Sequence, residues 1–322
     1  MALSDLAVFS EQLYSTTTEV LAQQVELFNA ATDGGLILSA QPFSGDYSET
    51  AFFAKVSGLV RRRNPYATGA VAAKSLEHLI DVMVKVAAGT PPLEMDPGQF
   101  RWLQQNPELA AATYAQQLAR DTLADMLNVS VGSLVAALSA QAAVVYDATA
   151  LTPDTMTQRT LNRGAQKMGD MSGEIRCWLM HSTPMFDLFD NALTNAEQLF
   201  NYGNVNIVSD PFGRRFCITD CPALVDTVAT PDVYNTIGLT AGAAIVSQNG
   251  DYDSNVETKN GDENLLRTMQ AEWSYSVGIK GFAWDKTNGG KAPTDTALFT
   301  STNWDRIATS HKDLAGVLVK TN

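Results

Sequence analysis

One stretch limits the fold more than any other. Asn106 to Gln141 carries the pattern of a single long helix. Asn106 is an N-cap residue type, Pro107 suits the first helical position, and Glu108 sits at the positive end of the helix dipole. Leu109, Ala112, Ala119, Leu123, Met126, Leu127, Val131, Leu134 and Leu138 form an apolar stripe at helical period. Gln117, Asp121, Asp125 and Asn128 fall on the other side, Gln116 interrupts the stripe, and Gly132 costs about 1 kcal/mol against alanine. At about 1.5 Å per residue the helix spans roughly 50 Å, far beyond the usual three or four turns. Such a helix is either a coiled-coil strand or the strut of a broad, thin domain. The stripe is no strict heptad and its centre is rich in alanine, which favours the strut.

The remaining sequence is long enough to clothe that strut. The chain has 322 residues, 45% hydrophobic and 18% charged, which allows one large or two ordinary domains with a buried core. A formal charge of -13 argues against wrapping nucleic acid over the general surface. No continuous apolar run reaches membrane-spanning length, and the start, Met-Ala-Leu-Ser-Asp, lacks the features of a signal peptide. Three cysteines in a chain of this size fit a reducing compartment without a disulfide framework.

In chain order, residues 4–31 read as mainly helical and end at Asp33-Gly34-Gly35. Leu6, Phe9, Leu13, Val25 and Phe28 give this arm an apolar face without a local partner, which makes them candidates for contact with a neighbouring subunit. Ala51–Arg62 and Leu76–Ala88 read as two extended segments joined by the turn-rich tip Arg63 to Gly69. Two strands alone are marginal in water, so this hairpin needs a support. Beyond the long helix, 150–235 reads as an α/β part. It has helices at Thr155–Met168 and Pro184–Phe200 and a buried strand at Ile175–Met180. A hairpin at Val205–Val208 and Arg215–Ile218 follows. Residues 236–322 read as strands at Leu239–Ser247, Ala271–Phe282 and Gly316–Val319, with a short helix near Ser301–Ser310.

Chemistry-bearing motifs are sparse. His181-Ser182 follows a strand, where a nucleophile can sit, but no Gly-x-Ser-x-Gly surrounds it. His78 and His311 lack partners at ligand spacing. Cys217 and Cys221 are two thiols where structural zinc needs four donors, so they read as buried thiols. Asp251 to Glu257 resembles the opening of a calcium loop. Val256 stands where glycine is needed and Asp262 where glutamate is, so it reads as a solvated acidic loop. Gly289-Gly290-Lys291 reads as a flexible turn. Arg61, Arg62 and Arg63 form the basic cluster of an acidic chain. Three readings stand: a solvated tip, a contact with carboxylates of a neighbouring subunit, or a nucleic-acid contact. No catalytic, cofactor-binding or metal residue emerges.

The order of arm, hairpin, long helix, α/β part and terminal strands resembles the major capsid proteins of tailed bacteriophages, the Hong Kong 97-type shell fold. Gly45-Asp46-Tyr47 and Leu59-Val60-Arg61-Arg62-Arg63 look like motifs of that family. So do Tyr114-Ala with Leu118-Ala, Leu123-Ala-Asp with Leu127-Asn128, and Met168-Gly169-Asp170 with Met180-His181-Ser182. Gly281-Phe-Ala-Trp284, Pro293-Thr294, Asn303-Trp304 and His311-Lys312 extend the likeness to the C-terminus.

The resemblance implies an α+β fold with an N-terminal arm (1–44), an extended loop (45–90), a peripheral domain with the spine helix (91–149), an axial domain (150–240) and peripheral C-terminal strands (241–322). It implies a non-enzymatic subunit that self-assembles, as hexamers and pentamers, into an icosahedral virion shell around double-stranded DNA. Weak non-specific DNA contact is expected, with portal, scaffold or cement proteins as further partners and synthesis in the host bacterial cytoplasm. No cofactor, membrane contact or covalent crosslink is expected, and any scaffold is a separate protein. An encapsulin-like nanocompartment shell shares the fold, and a hydrolase using Ser182 and His181 is the reading from another class.

Overall fold

The computed structural model describes residues 13, 15–20, 25–26, 29–39, 45–53, 60–75, 78–95, 98, 107–192, 200–202, 205–209, 214–259 and 266–322. Among them, β1 (Leu36–Ser39), β2 (Tyr47–Phe53), β3 (His78–Gly89) and β4 (Leu93–Met95) precede the long helix α1 (Pro107–Ser139). In β3, Val82, Val84 and Val86 are buried while Asp81, Met83 and Lys85 are half-buried on the opposite face, the period of two of a strand. β2 pairs antiparallel with β3 from Tyr47–Val84 to Phe53–His78. The first extended segment thus begins four residues earlier than the sequence suggests, and Val60–Arg62 lies outside any strand.

Helix α1 is the 33-residue strut expected. Its buried face before Met126 differs from the expected stripe: Ala110, Ala111, Ala115, Ala119 and Thr122 are buried, while Ala112, Leu123 and Leu127 are half-buried. Small residues occupy most of the buried positions there and the leucines flank them. From Val129 to Leu138 the helix is buried on nearly every side. It is long and apolar enough to cross a bilayer, but 61% of the qualifying window is already buried inside the protein, as in a core helix.

Next come β5 (Val145–Asp147) and α2 (Gln158–Gln166), whose first turn is capped by Thr157 accepting from Thr160 N at 3.2 Å. β6 (Ile175–Met180), α3 (Ser182–Ala192), β7 (Phe200–Tyr202), β8 (Val205–Ser209) and β9 (Arg215–Ile218) follow. The buried strand and the β8–β9 hairpin match the sequence reading. The helix starts two residues early, and Phe200 opens a strand paired with Ile207 instead of closing a helix.

The last third holds β10 (Val225–Asp226), β11 (Val233–Thr240), β12 (Ala244–Gln248), β13 (Asp253–Lys259), β14 (Leu266–Ile279), β15 (Phe282–Trp284), α4 (Asp295–Leu298), β16 (Trp304–Arg306) and β17 (Gly316–Thr321). The strand expected at Leu239–Ser247 is two strands in different sheets. Gly242 at φ +64° turns the chain between them, a left-handed conformation that costs glycine little. The acidic loop expected at Asp251–Glu257 is largely β13, drawn into pairing along β14 from Asp253–Glu272 to Lys259–Leu266. The short helix expected near Ser301–Ser310 is instead two 3-10 turns around β16.

Among the described residues, nine strands form a sheet whose spine is the 14-residue β14, bordered by β12, β13, β3, β4 and β15. Eight form a second sheet in the order β5-β17-β11-β6-β9-β8-β7, with β10 on β11. One core joins them. It holds Val84, Val246, Tyr275 and Val277 of the first sheet, Trp178, Ile237 and Val319 of the second, and Met126 to Leu138 of α1. A separate small cluster of Leu13, Met95, Ala110, Ala111, Ala115 and Met269 supports the start of the helix.

Candidate assembly surfaces

The β2–β3 hairpin is fastened at its base and exposed over residues 60–75 at its other end. Lys286 pairs with Glu49 and sits 5.4 Å over the Tyr47 ring, and Lys291 pairs with Asp46 at 3.3 Å. Lys85 meets Asp251 at 3.0 Å. At the other end, Asn64 starts the expected turn by accepting from Tyr66 N at 3.0 Å, beside the Pro65 that sets the bend. Arg61, Arg62 and Arg63 are all exposed and form no ion pair with any described residue. Tyr66 and Val60 beside them are 92% and 94% exposed.

The first sheet carries a counterpart of opposite sign. Glu94, Asp253, Glu257 and Glu272 are exposed on β4, β13 and β14, and Asp253 stands directly across from Glu272. Like charges opposite one another weaken a strand pair. Asp253, Glu257 and Glu272 line a recess of about 240 Å³ with Asn255 and Gln270. The sequence reading missed this face, because its residues come together only through the register of β14.

Leu6, Phe9 and Phe28 lie outside the described residues. The expected lack of a local partner does not hold for the other two arm residues. Leu13 is fully buried in the small cluster on α1, and Val25 packs half-buried on the main core. The end of the arm is fastened to both sheets. Asn29 exchanges two hydrogen bonds with the Leu38 backbone at 2.7 and 2.8 Å, and β1 runs parallel to β12. Asp33 lies 3.7 Å from Arg215 and 4.0 Å from Arg176, while Arg215 also donates to Ala30 O at 2.8 Å.

The fold brings His181 and Ser182 together with Asp220. Ser182 Oγ lies 3.5 Å from His181 Nδ1, and His181 Nε2 lies 3.5 Å from Asp220 Oδ1. The resemblance to a catalytic triad stops there. Nδ1 already accepts from Thr183 N at 3.3 Å, and Asp220 Oδ1 accepts from Ser182 N at 3.2 Å. The lone pair a base needs and the backbone donors an oxyanion needs are both engaged in closing the first turn of α3. Cys217 and Cys221 are buried free thiols, as expected, and so is Cys177. Cys217 donates to Ala31 O and Cys221 to Asn128 Oδ1. Burial pushes the Cys221 thiol up, away from the reactive thiolate.

Comparison with known proteins fits surfaces better than a reaction centre. The family model described as Gp13-like, major capsid protein 13-like, matches residues 5–318. No curated protein matches the sequence significantly. Among solved structures, the capsid asymmetric unit of cyanophage Pam1 is 10% identical, covering 88% of each chain with a TM-score of 0.51. A structure from Microbacterium phage Oxtober96 is 10% identical, covering 90% of each chain at 0.49. The head protein of Helicobacter pylori bacteriophage KHP40 is 11% identical, covering 89% of this chain and 88% of that chain at 0.48.

Proposed function

We infer the function from one premise: the chain belongs to the Gp13-like family of major capsid proteins and is a shell-forming subunit. From that premise we propose that it builds an icosahedral virion shell around double-stranded DNA, with itself in hexamers and pentamers as the main partner. The observation that carries this reading is the hairpin, fastened to its own subunit at the base and ending in three exposed arginines that form no ion pair among the described residues. An acidic sheet face stands elsewhere on the same chain. A tip of one sign and a face of the other on identical molecules suit a repeating contact between copies. In this reading Arg61, Arg62 and Arg63 meet Glu94, Asp253, Glu257 and Glu272 of a neighbour.

The regions then take these roles: arm 1–44, extended loop 45–90, peripheral domain 91–149 and 241–322, and axial domain 150–240. β5 and β17, from the two peripheral ranges, cross over to pair in the sheet of the axial region. Leu6, Phe9 and Phe28 of the arm remain contact candidates. Contact with packaged DNA is weak, sequence-independent and salt-sensitive, since the net charge of -13 opposes it. Portal, scaffold or cement proteins are the candidate further partners, and the chain is made in the host cytoplasm. Its work is done by interface area, without a catalytic residue.

The test is the content of particles from producing cells. After external nuclease digestion, intact particles should release long double-stranded DNA on deproteinisation. Particles that hold protein cargo and no DNA would overturn the virion reading in favour of a nanocompartment.

A further inference from the structure

We propose that His181 is a proton-operated cap on α3: the neutral ring holds the first helical turn, and the protonated ring releases it. The residue occupies the N-cap position, immediately before the helix begins at Ser182. N-cap side chains accept a hydrogen bond from the second or third helical N–H, a task normally given to serine, threonine, aspartate or asparagine. Here the imidazole performs it, with Nδ1 accepting from Thr183 N at 3.3 Å. That bond requires an unprotonated Nδ1, so the neutral ring carries its proton on Nε2, which faces Asp220 Oδ1 at 3.5 Å.

Protonation removes this acceptor. An imidazolium has donors on both nitrogens, so its Nδ1–H turns to the Thr183 Oγ1 at 3.3 Å or the Ser182 Oγ at 3.5 Å and the Thr183 N–H loses its acceptor. It also sets a cation at the positive end of a helix. The anion able to receive the ring is already in place. The Ser182 hydroxyl holds the Asp220 carboxyl below its usual range, so Asp220 stays charged throughout the interval in which histidine titrates. Asp220 and Tyr234 are the described titratable groups set against the ring from other elements. Tyr234 makes a tilted ring contact at 5.4 Å. A proton therefore takes the acceptor from Thr183 N–H and turns the existing Nε2–Asp220 contact into an ion pair. The change stays within the first turn, because Met185 and Leu188 anchor the rest of α3 in the core.

The test uses the full-length chain with nitrogen-labelled histidine, of which it has only three. Near neutral pH the His181 ring should show the tautomer with Nδ1 unprotonated. Between about pH 7.5 and about pH 5.5, exchange of the Thr183 amide, corrected for its intrinsic rate, should rise about tenfold. His181→Asn retains an acceptor that does not titrate, so it should show no such rise. A proton on Nδ1 near neutral pH, or an equal rise in His181→Asn, would overturn the proposal. If His181→Asn does not fold, the tautomer of the unaltered protein decides alone.

Discussion

A methyl group placed on Gly132 would lie 2.2 Å from Cε1 of Phe299. The aromatic ring just beyond α4 rests directly on the backbone of α1. This explains a glycine in the middle of a long helix: the propensity it sacrifices makes room for the ring. Gly132→Ala gains about 1 kcal/mol of helix propensity but incurs about 1–3 kcal/mol of overpacking. The expected net effect is destabilisation, read as a lower urea midpoint at unchanged slope. Adding Phe299→Leu should recover part of the loss, whereas strictly additive effects would show that the two residues do not interact.

The arm prediction follows from Leu13. Among the described residues, Leu13 is buried in a cluster of six buried residues, three of them alanines. Leu13→Ala should cost about 2 kcal/mol, the low end for such truncations. The loss should be local, with faster hydrogen exchange across 107–119 and little change in β6 or β11. An unchanged exchange pattern in the free subunit would return Leu13 to the status of a between-subunit contact.

A pH dependence follows from Asp125, which accepts from Tyr275 OH at 2.7 Å beside Asp295 in a crevice of about 680 Å³. Burial raises the Asp125 carboxyl above its usual value. The Tyr275 hydrogen bond opposes this in part, and the Asp295 charge adds to it. The folded state therefore holds this proton more tightly than the unfolded state. Above the raised value, the ionised carboxylate is a constant penalty on folding; as pH falls through that value toward 3.8, the penalty disappears. Asp125→Asn keeps an acceptor for Tyr275. It should raise the melting temperature at neutral pH, with the gain shrinking toward pH 4 (about the usual aspartate range). A gain independent of pH would exclude the carboxylate charge as its source.

Replacing Arg61, Arg62 and Arg63 together by serine should leave the free subunit's stability within error, since all three are exposed. Exposed ion pairs contribute about 0–1 kcal/mol each, but a closed lattice repeats them. The variant should need a higher protein concentration to assemble, and its threshold should depend less on salt. An unchanged threshold and salt dependence would leave the tip a solvated loop.

Much of this architecture was legible in the residues. The spine helix, the buried strand β6 and the β8–β9 hairpin each have a periodicity that one local element satisfies. The misses are non-local. β13 reads as an acidic loop because Asp253, Asn255 and Glu257 are poor strand formers, and the long β14 imposes the pairing. Leu239–Ser247 reads as one apolar run, and only Gly242 marks where it changes sheets. The arginine tip was visible as a charge cluster. The acidic face was not, since Glu94, Asp253 and Glu272 are far apart in the chain and meet only through strand register. His181 and Ser182 were noticed, but Asp220, whose carboxylate reveals them as a helix cap, carries no local signal.

The central claim is that copies of this chain close a shell by laying the hairpin of one subunit on the acidic sheet face of the next. Cryo-electron microscopy of purified particles tests it most directly. The account predicts closed icosahedral shells in which density for Arg61–Arg63 reaches Glu94, Asp253, Glu257 or Glu272 of a neighbouring copy. Hairpins folded back on their own subunits, or a protein that forms no closed shell at any concentration or salt, would contradict it.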